Sequence, residues 1–261
     1  MIDAHFHAWQ LARGDYGWLT PELAPIYRDV QVSDWQTHAR DWGIAGGVLV
    51  QAAPTAEETA YLLQQAQRHP EVLGVVGWAD LAAPDLAQQL ERWTAHPAMR
   101  GIRHILQDEA DVNAWLNNPH NSAGLRAVQQ AGLVYDVLLF DHQMPGVVQF
   151  CARHDAHWLV LDHLGKPSVR DWASNPEVSL RWLSSIRSLA TLPEDTRIFE
   201  SRGKRANPTD MWQDLFAKYM GLTDPAAALK MWDRWGAVEL GDTRTHALHF
   251  LLSLENMGPP D

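Results

Sequence analysis

Only one cysteine, Cys151, occurs in 261 residues, which excludes an internal disulfide framework and fits a reducing compartment. It lies in the apolar stretch Val147-Val148-Gln149-Phe150-Cys151 and reads as a small buried hydrophobe rather than a nucleophile. Basic charge is also scarce. Against 32 Asp and Glu stand 21 Lys and Arg, and the resulting net charge of −11 argues against a nucleic-acid or anionic-membrane partner. No apolar run approaches the length of a membrane span, and no signal-peptide pattern opens the chain, so a cytoplasmic protein is expected. Solenoid repeats, heptads and dividing linkers are absent too, and a single domain over residues 1–261 is expected.

What is present is a large apolar fraction, 46% of residues, which is ample for one core. Thirteen tryptophans are many for this length, and most are expected in packing, with several at a pocket or subunit contact.

The opening Met1-Ile2-Asp3-Ala4-His5-Phe6-His7-Ala8-Trp9 reads as a short apolar strand carrying two histidines one residue apart. Alternate strand residues share a face, so His5 and His7 point the same way. Two imidazoles aimed at one point suit a divalent metal or a polarised carbonyl. A surface pair, or two histidines hydrogen-bonded in a turn, is the other reading of this stretch alone.

The long polar and aromatic segment from Gln10 to Gln31 reads as a packed, functional loop over the mouth of a site. A helix is expected over 32–42, stopped by Gly43, and a strand over 48–51 that ends on Gln51. Thr55 with Glu58 three residues on has the pattern of a capping box, opening a helix to about Arg68. Further strands are expected over 72–78, 100–104, 134–140 and 158–162, separated by helices over about 84–93, 122–131 and 144–154, with another helix over 176–191. Residues 107–121 read as a polar loop.

Six strands alternate with helices, and each strand is a continuous apolar run. That pattern indicates a parallel sheet with helices covering its outside. His5, His7, Gln51, Asp80, His104 and His163 fall where strands end, which is where parallel α/β folds place ligand sites. This regularity favours a site over a chance cluster of histidines. Beyond it the pattern loosens: Thr196–Ser201 is the candidate seventh strand and Met231–Val238 the candidate eighth.

Five motifs occur in the order and spacing of one known family: Ile2–Trp9, Gly14–Leu19, Val50-Gln51-Ala52-Ala53-Pro54, Gly101-Ile102-Arg103-His104 and Asp162-His163-Leu164-Gly165-Lys166-Pro167. Over about residues 1–192 the chain resembles the amidohydrolase-2 branch of the amidohydrolase superfamily, in particular its sugar-lactonase-like members of the L-fuconolactonase and L-rhamnonolactonase type. The resemblance implies an α/β fold, a (β/α)8 TIM barrel, here with strands 7–8 irregular, and a hydrolase that opens a sugar-acid lactone (an aldonolactone) in carbohydrate metabolism.

It also implies that His5, His7, His104 and His163 bind a divalent metal or activate water and the scissile carbonyl. Zinc is the expected ion, with His5, His7 and His163 as ligands. Metal-independent action by the histidines as hydrogen-bond donors is the alternative, because metal use varies within this branch.

The chain departs from the family pattern at its C-terminal third. The usual Gly-Ser-Asp-Trp-Pro of the eighth strand, whose aspartate is a metal ligand or general base in the family, is absent, and Met231-Trp232-Asp233-Arg234-Trp235-Gly236 leaves Asp233 as the substitute. The usual seventh-strand Lys-(Val/Leu)-Ser-Gly is replaced by Ile198–Gly203. Two rival readings follow: a metal-dependent decarboxylase or lyase of the same superfamily, and a catalytically impaired barrel that lacks the strand-eight aspartate.

Lactone hydrolysis needs a nucleophilic water, a polarised carbonyl and stabilisation of the oxyanion. His5, His7 and His163 are the expected activating cluster, with His104 assisting and Asp233 as the substitute aspartate. Arg103 and His104 leave one strand in succession, so their side chains diverge, and His104 is expected to face inward. Arg103 reads either as a substrate contact or as a structural ion pair. Lys166 reads either as a ligand of a carboxylate or sugar hydroxyl or as an exposed lysine. Gln51 and Trp78 are candidate pocket walls, with core packing the alternative for Trp78. Trp9 and Trp18 could stack on a sugar ring or simply pack. The remaining histidines read as surface or capping residues, and the acidic run of Asp108, Glu109 and Asp111 reads as a solvated loop face, with sugar hydroxyls as the alternative ligand. The partner is thus a small-molecule sugar lactone, and the sequence does not set the oligomeric state.

Overall fold

The structure is a computed structural model that describes residues 2–41, 43–154 and 157–166. The expected helix over 176–191, the candidate seventh and eighth strands and Asp233 lie outside the described residues. Six strands form one sheet in the order β1-β2-β3-β4-β5-β6: Ile2–Phe6, Gly46–Val50, Val72–Gly77, Met99–Ile105, Val134–Leu138 and Leu159–Leu161. Every pairing from β1 to β5 is parallel. Each strand connects to the next through a helical segment: α1 (Val32–Asp41), α2 (Ala56–Arg68), α3 (Leu86–Thr94), then α4 (Val112–Leu116) with α5 (Pro119–Gln130), and α6 (Met144–Arg153). A strand-helix-strand connection of this kind is what parallel pairing demands. Among the described residues, no helix is long and apolar enough to cross a membrane.

The chain divides into two compact units, Met1–Leu138 with Ala156–Leu159, and Leu139–Asp155 with Val160–Asp261. In the first, the inner strands are buried on both faces, as their continuous Val and Leu content requires: Leu49, Val50, Val75 and Ile102 are sealed from solvent. Helices present apolar stripes to the sheet. In α3 the spacing of Leu86, Leu90 and Trp93 puts all three on one buried face. The segment 10–31 is packed, as expected. It contains two 3₁₀ turns, Leu11–Arg13 and Pro21–Leu23, and a bridge between Trp9 and Val30. Trp9, Tyr16 and Leu19 bury themselves with Ala52 and Ala53.

Thr55 caps α2 as expected, accepting a hydrogen bond from Glu58 N–H at 3.1 Å. The reciprocal half of the box does not form. Glu58 is fully buried and turns instead to the long segment: its carboxylate accepts from Ala52 N–H (2.9 Å) and Tyr16 O–H (2.8 Å) and lies 3.2 Å from Arg13. Burial raises the Glu58 pKa, against the opposing pull of these donors. The same desolvation, with Glu58 adjacent, raises the Tyr16 phenol.

Residues 107–121 are more ordered than a polar loop. Asp111 caps α4 by accepting from Ala114 N–H, and Asn118 with Pro119 opens α5 three residues earlier than Ser122. The cue was present, since proline suits the first helical position.

In the second unit, α6 buries Met144, Val147, Phe150 and Cys151. Burial pushes the Cys151 thiol up to about 12, so it is an inert packing group, as expected. His154 is the C-cap of α6, in keeping with the capping reading, but it is not a surface residue: it is only 3% exposed and its ring lies 4.7 Å from that of Phe150.

Gly124 in α5 sits where a Cβ would meet the backbone oxygen of Leu81 at 2.0 Å. A glycine-to-alanine change inside a helix normally stabilises by about 0.5–1 kcal/mol. Here the sign reverses. Gly124→Ala is expected to cost about 1–3 kcal/mol through overpacking, which urea denaturation measures as a lower midpoint.

Candidate functional site

The strand ends bring a polar cluster together within the first unit. His5 is on β1 and His7 one residue beyond it, and their rings meet edge to face with centroids 4.9 Å apart. The two Nε2 atoms are 3.2 Å apart. The shared face expected from the strand period is therefore present.

Asp3, on the same strand, accepts from Trp35 Nε1–H at 2.9 Å and from His5 N–H at 3.1 Å, fixing the entry to the pair. His7 Nδ1 lies 2.8 Å from the carbonyl oxygen of Val50. A carbonyl only accepts, so Nδ1 carries the proton, and the Nε2 of neutral His7 carries a lone pair. This is the arrangement by which an outer partner orients a metal-binding imidazole.

Arg103, 3% exposed, reaches across from β4. Its Nη1 is 3.2 Å from His5 Nε2, and its Nη2 donates to the backbone oxygen of Gln51. Gln51 returns the contact by donating its Nε2–H to Arg103 O at 3.3 Å. Arg103, rather than His104, is thus the β4 residue aimed at the histidine pair.

A guanidinium only donates, so His5 Nε2 accepts from it. Two lone-pair nitrogens then face each other at 3.2 Å, which needs a shared proton or a cation between them. Two nitrogens of a tetrahedral zinc site, each at 2.0–2.1 Å from the ion, sit about 3.3–3.4 Å apart. The donor pair therefore fits a divalent cation. The guanidinium beside it opposes one by charge.

His104 turns to a second group. Its Nε2 lies 2.6 Å from Glu109 Oε1, its ring stacks on Trp115 with centroids 4.6 Å apart, and Trp78 lies 6.4 Å away. Glu109, read from sequence as part of a solvated acidic face, is a partner of a site residue. The signal that could have found it is its place five residues after His104, in the short turn that follows β4. Burial lowers the His104 pKa, against the raising effects of Glu109 and Asp80.

Trp78 is held by its backbone, whose N–H and C=O both bond Thr59 Oγ1 at 2.7 Å. Gly77 beside it permits this, because a Cβ there would lie 2.5 Å from Thr59. Trp78 Nε1 and Gln51 Oε1 are buried without a hydrogen-bond partner among the described residues. Both are polar atoms aimed into the protein at strand ends, as a pocket wall requires.

Trp9 is corrected. It is 8% exposed in the packed cluster, its Nε1 donating to Arg28 O, so it is not a sugar-stacking surface. Trp18 is 41% exposed and is anchored by Nε1 donating to Ala52 O.

In the second unit, Asp162–Gly165 forms a 3₁₀ turn directly after β6. His163 is exposed and takes a positive φ of 47°, uncommon outside glycine. Lys166 also has φ 47°, and its Nζ sits 5.0 Å over the Phe140 ring.

A parallel α/β sheet with histidines, an arginine and a glutamine at the C-terminal ends of its first strands defines a class of small-molecule-binding α/β proteins. Residues 2–216 match the family model described as Amidohydrolase, and the chain belongs to that family. It is 40% identical over 192 residues to an L-fucono-1,5-lactonase of Burkholderia multivorans, an alignment covering 74% of this chain and 64% of that protein. The chain thus spans 64% of the length of that curated relative. A crystal structure of an amidohydrolase from Burkholderia multivorans with bound HEPES is 31% identical, with a TM-score of 0.71 and 98% of each chain covered. A second crystal structure of an amidohydrolase from that organism, with bound zinc, is 32% identical, with a TM-score of 0.69 and 95% coverage of each.

The depressed His104 pKa sets a pH dependence of stability. Below the ordinary value of 6.5 the unfolded chain takes up a proton that the folded ring resists, so this residue's stabilising contribution is lost as pH falls from 6.5 through the folded pKa. Unfolding free energies measured across that window are expected to fall more steeply for the wild type than for His104→Gln.

Proposed function

We propose that the protein is a hydrolase of sugar-acid lactones, of the kind that the L-fucono-1,5-lactonase relative's name describes. The observation that carries the reading is the converging His5 and His7 pair, oriented by Val50 and met by Arg103 at the strand ends of a family member. The proposed scaffold is a (β/α)8 barrel, with its last two strands drawn from residues after 166 and Asp233 as the substitute for the family's strand-eight aspartate.

His5 and His7 would hold a divalent ion, for which zinc in a solved relative is the precedent. Such an ion, when bound, supplies Lewis acidity toward the lactone carbonyl. The chain's own groups account for the rest. Arg103 donates into the site from a buried, preorganised position, where a guanidinium stabilises developing negative charge. Gln51 and Trp78 offer an acceptor and a donor to sugar hydroxyls. Lys166 is proposed as a ligand of a substrate carboxylate or sugar hydroxyl.

The guanidinium at His5 favours a second reading in which no ion binds and Arg103 with the histidines polarises the carbonyl directly. Metal analysis of the purified protein, with an aldonolactone panel run with and without chelator, separates the two. Bound zinc with chelator-sensitive turnover is expected.

His5→Ala and His163→Ala are each expected to lower kcat by about 10²–10⁴-fold while melting stays cooperative. Wild-type rates in either variant reject the cluster. Carbon dioxide release from aromatic acids, with no lactone opened, points instead to a lyase.

A further inference from the structure

The turn after β4 folds back onto His104, which stands one residue beyond Arg103 and beside the candidate pocket wall Trp78. His104 is enclosed on three sides: Glu109 at the Nε2 edge, the Trp115 indole stacked on a face, and Trp78 obliquely beyond. A carboxylate at 2.6 Å accepts, so Nε2 bears the hydrogen and Nδ1 of the neutral ring is the bare nitrogen. Nδ1 makes no hydrogen bond among the described residues. The two partners do different work. Trp115 takes water from the ring face, while Glu109, whose side chain is 33% exposed, keeps a negative charge against the opposite edge.

We propose that Glu109 is a positioning residue for His104: it fixes the Nε2–H tautomer and offsets the charge of the imidazolium, leaving Nδ1 to shuttle a proton in lactone opening. The inference rests on the lactone reading above. In the step, Nδ1 takes a proton from water as the water oxygen bonds the carbonyl carbon and the carbonyl π pair moves to its oxygen. When that pair returns, the bond to the ring oxygen breaks and Nδ1 delivers the proton to the departing oxygen. A hydroxy acid and a neutral imidazole result, and nothing is oxidised or reduced. The logic is that of a buried acid behind a catalytic imidazole, in which the carboxylate orients the ring without itself taking the proton.

The alternative is that Glu109 merely anchors the turn, and the test is chosen to tell the two apart. Glu109→Gln keeps an acceptor oxygen and the shape but removes the charge; Glu109→Asp keeps the charge at shorter reach; Glu109→Ala removes both. On the full-length protein the nitrogen shifts of His104, assigned by their loss in His104→Gln, are expected to show a protonated Nε2 and a bare Nδ1 in the wild type and mixed tautomers in Glu109→Ala. Against the lactone that the wild type opens best, Glu109→Gln is expected to lower kcat by on the order of 10²-fold with KM and melting temperature nearly unchanged. Glu109→Asp is expected to restore part of that loss.

A protonated Nδ1 in the wild type overturns the proposal, as does wild-type kcat in Glu109→Gln. If the wild type opens no lactone, the lactone reading fails and the shuttle fails with it. The tautomer measurement still decides whether Glu109 positions the ring.

Discussion

A buried guanidinium holds the strand ends in register with one another. Arg103 leaves β4, bonds the backbone of Gln51 at the end of β2 and meets His5 on β1. An arginine that is 3% exposed is costly to desolvate and persists only where its donors are matched. Among the described residues its acceptors include the backbone oxygen of Gln51 and the His5 imidazole. The choice of the His5 tautomer, and with it the conflict between His5 and His7 that a proton or cation must relieve, follows from this one side chain.

Around that centre, the sequence builds supports of two kinds. Backbone groups of neighbouring strands hold the imidazoles, as Val50 does for His7. Loop residues hold the rest: Glu58 binds Ala52 N–H, next to Gln51, and ties the segment carrying Tyr16 to the start of α2. The buried carboxylate that reads as half of a capping box is thus a link between the long loop and the end of β2. Preorganisation of a site is expected to rest on such second contacts rather than on the reacting groups alone.

Much of this was legible in the sequence because strand periodicity is strict. A period of two put His5 and His7 on one face, and continuous apolar runs announced parallel pairing. The same rule correctly made Arg103 and His104 diverge but did not say which faces the centre, because the answer depends on where the strand ends. β4 continues to Ile105, so His104 is still within the strand and Arg103 points to the pair. Glu109 was missed because an acidic run reads as solvated unless the turn that returns it to His104 is known. Trp9 was left between sugar stacking and packing because exposure of an aromatic next to a motif cannot be told from the motif. His154 was lost for the converse reason, its burial depending on Phe150 one helical turn earlier.

The contact between Arg103 and His5 joins positions 98 residues apart. Such a long-range closure forms late, since the chain between must be ordered before the bond rewards it. Any change that loosens the fourth strand therefore reaches the opening imidazoles directly, however far along the chain it falls.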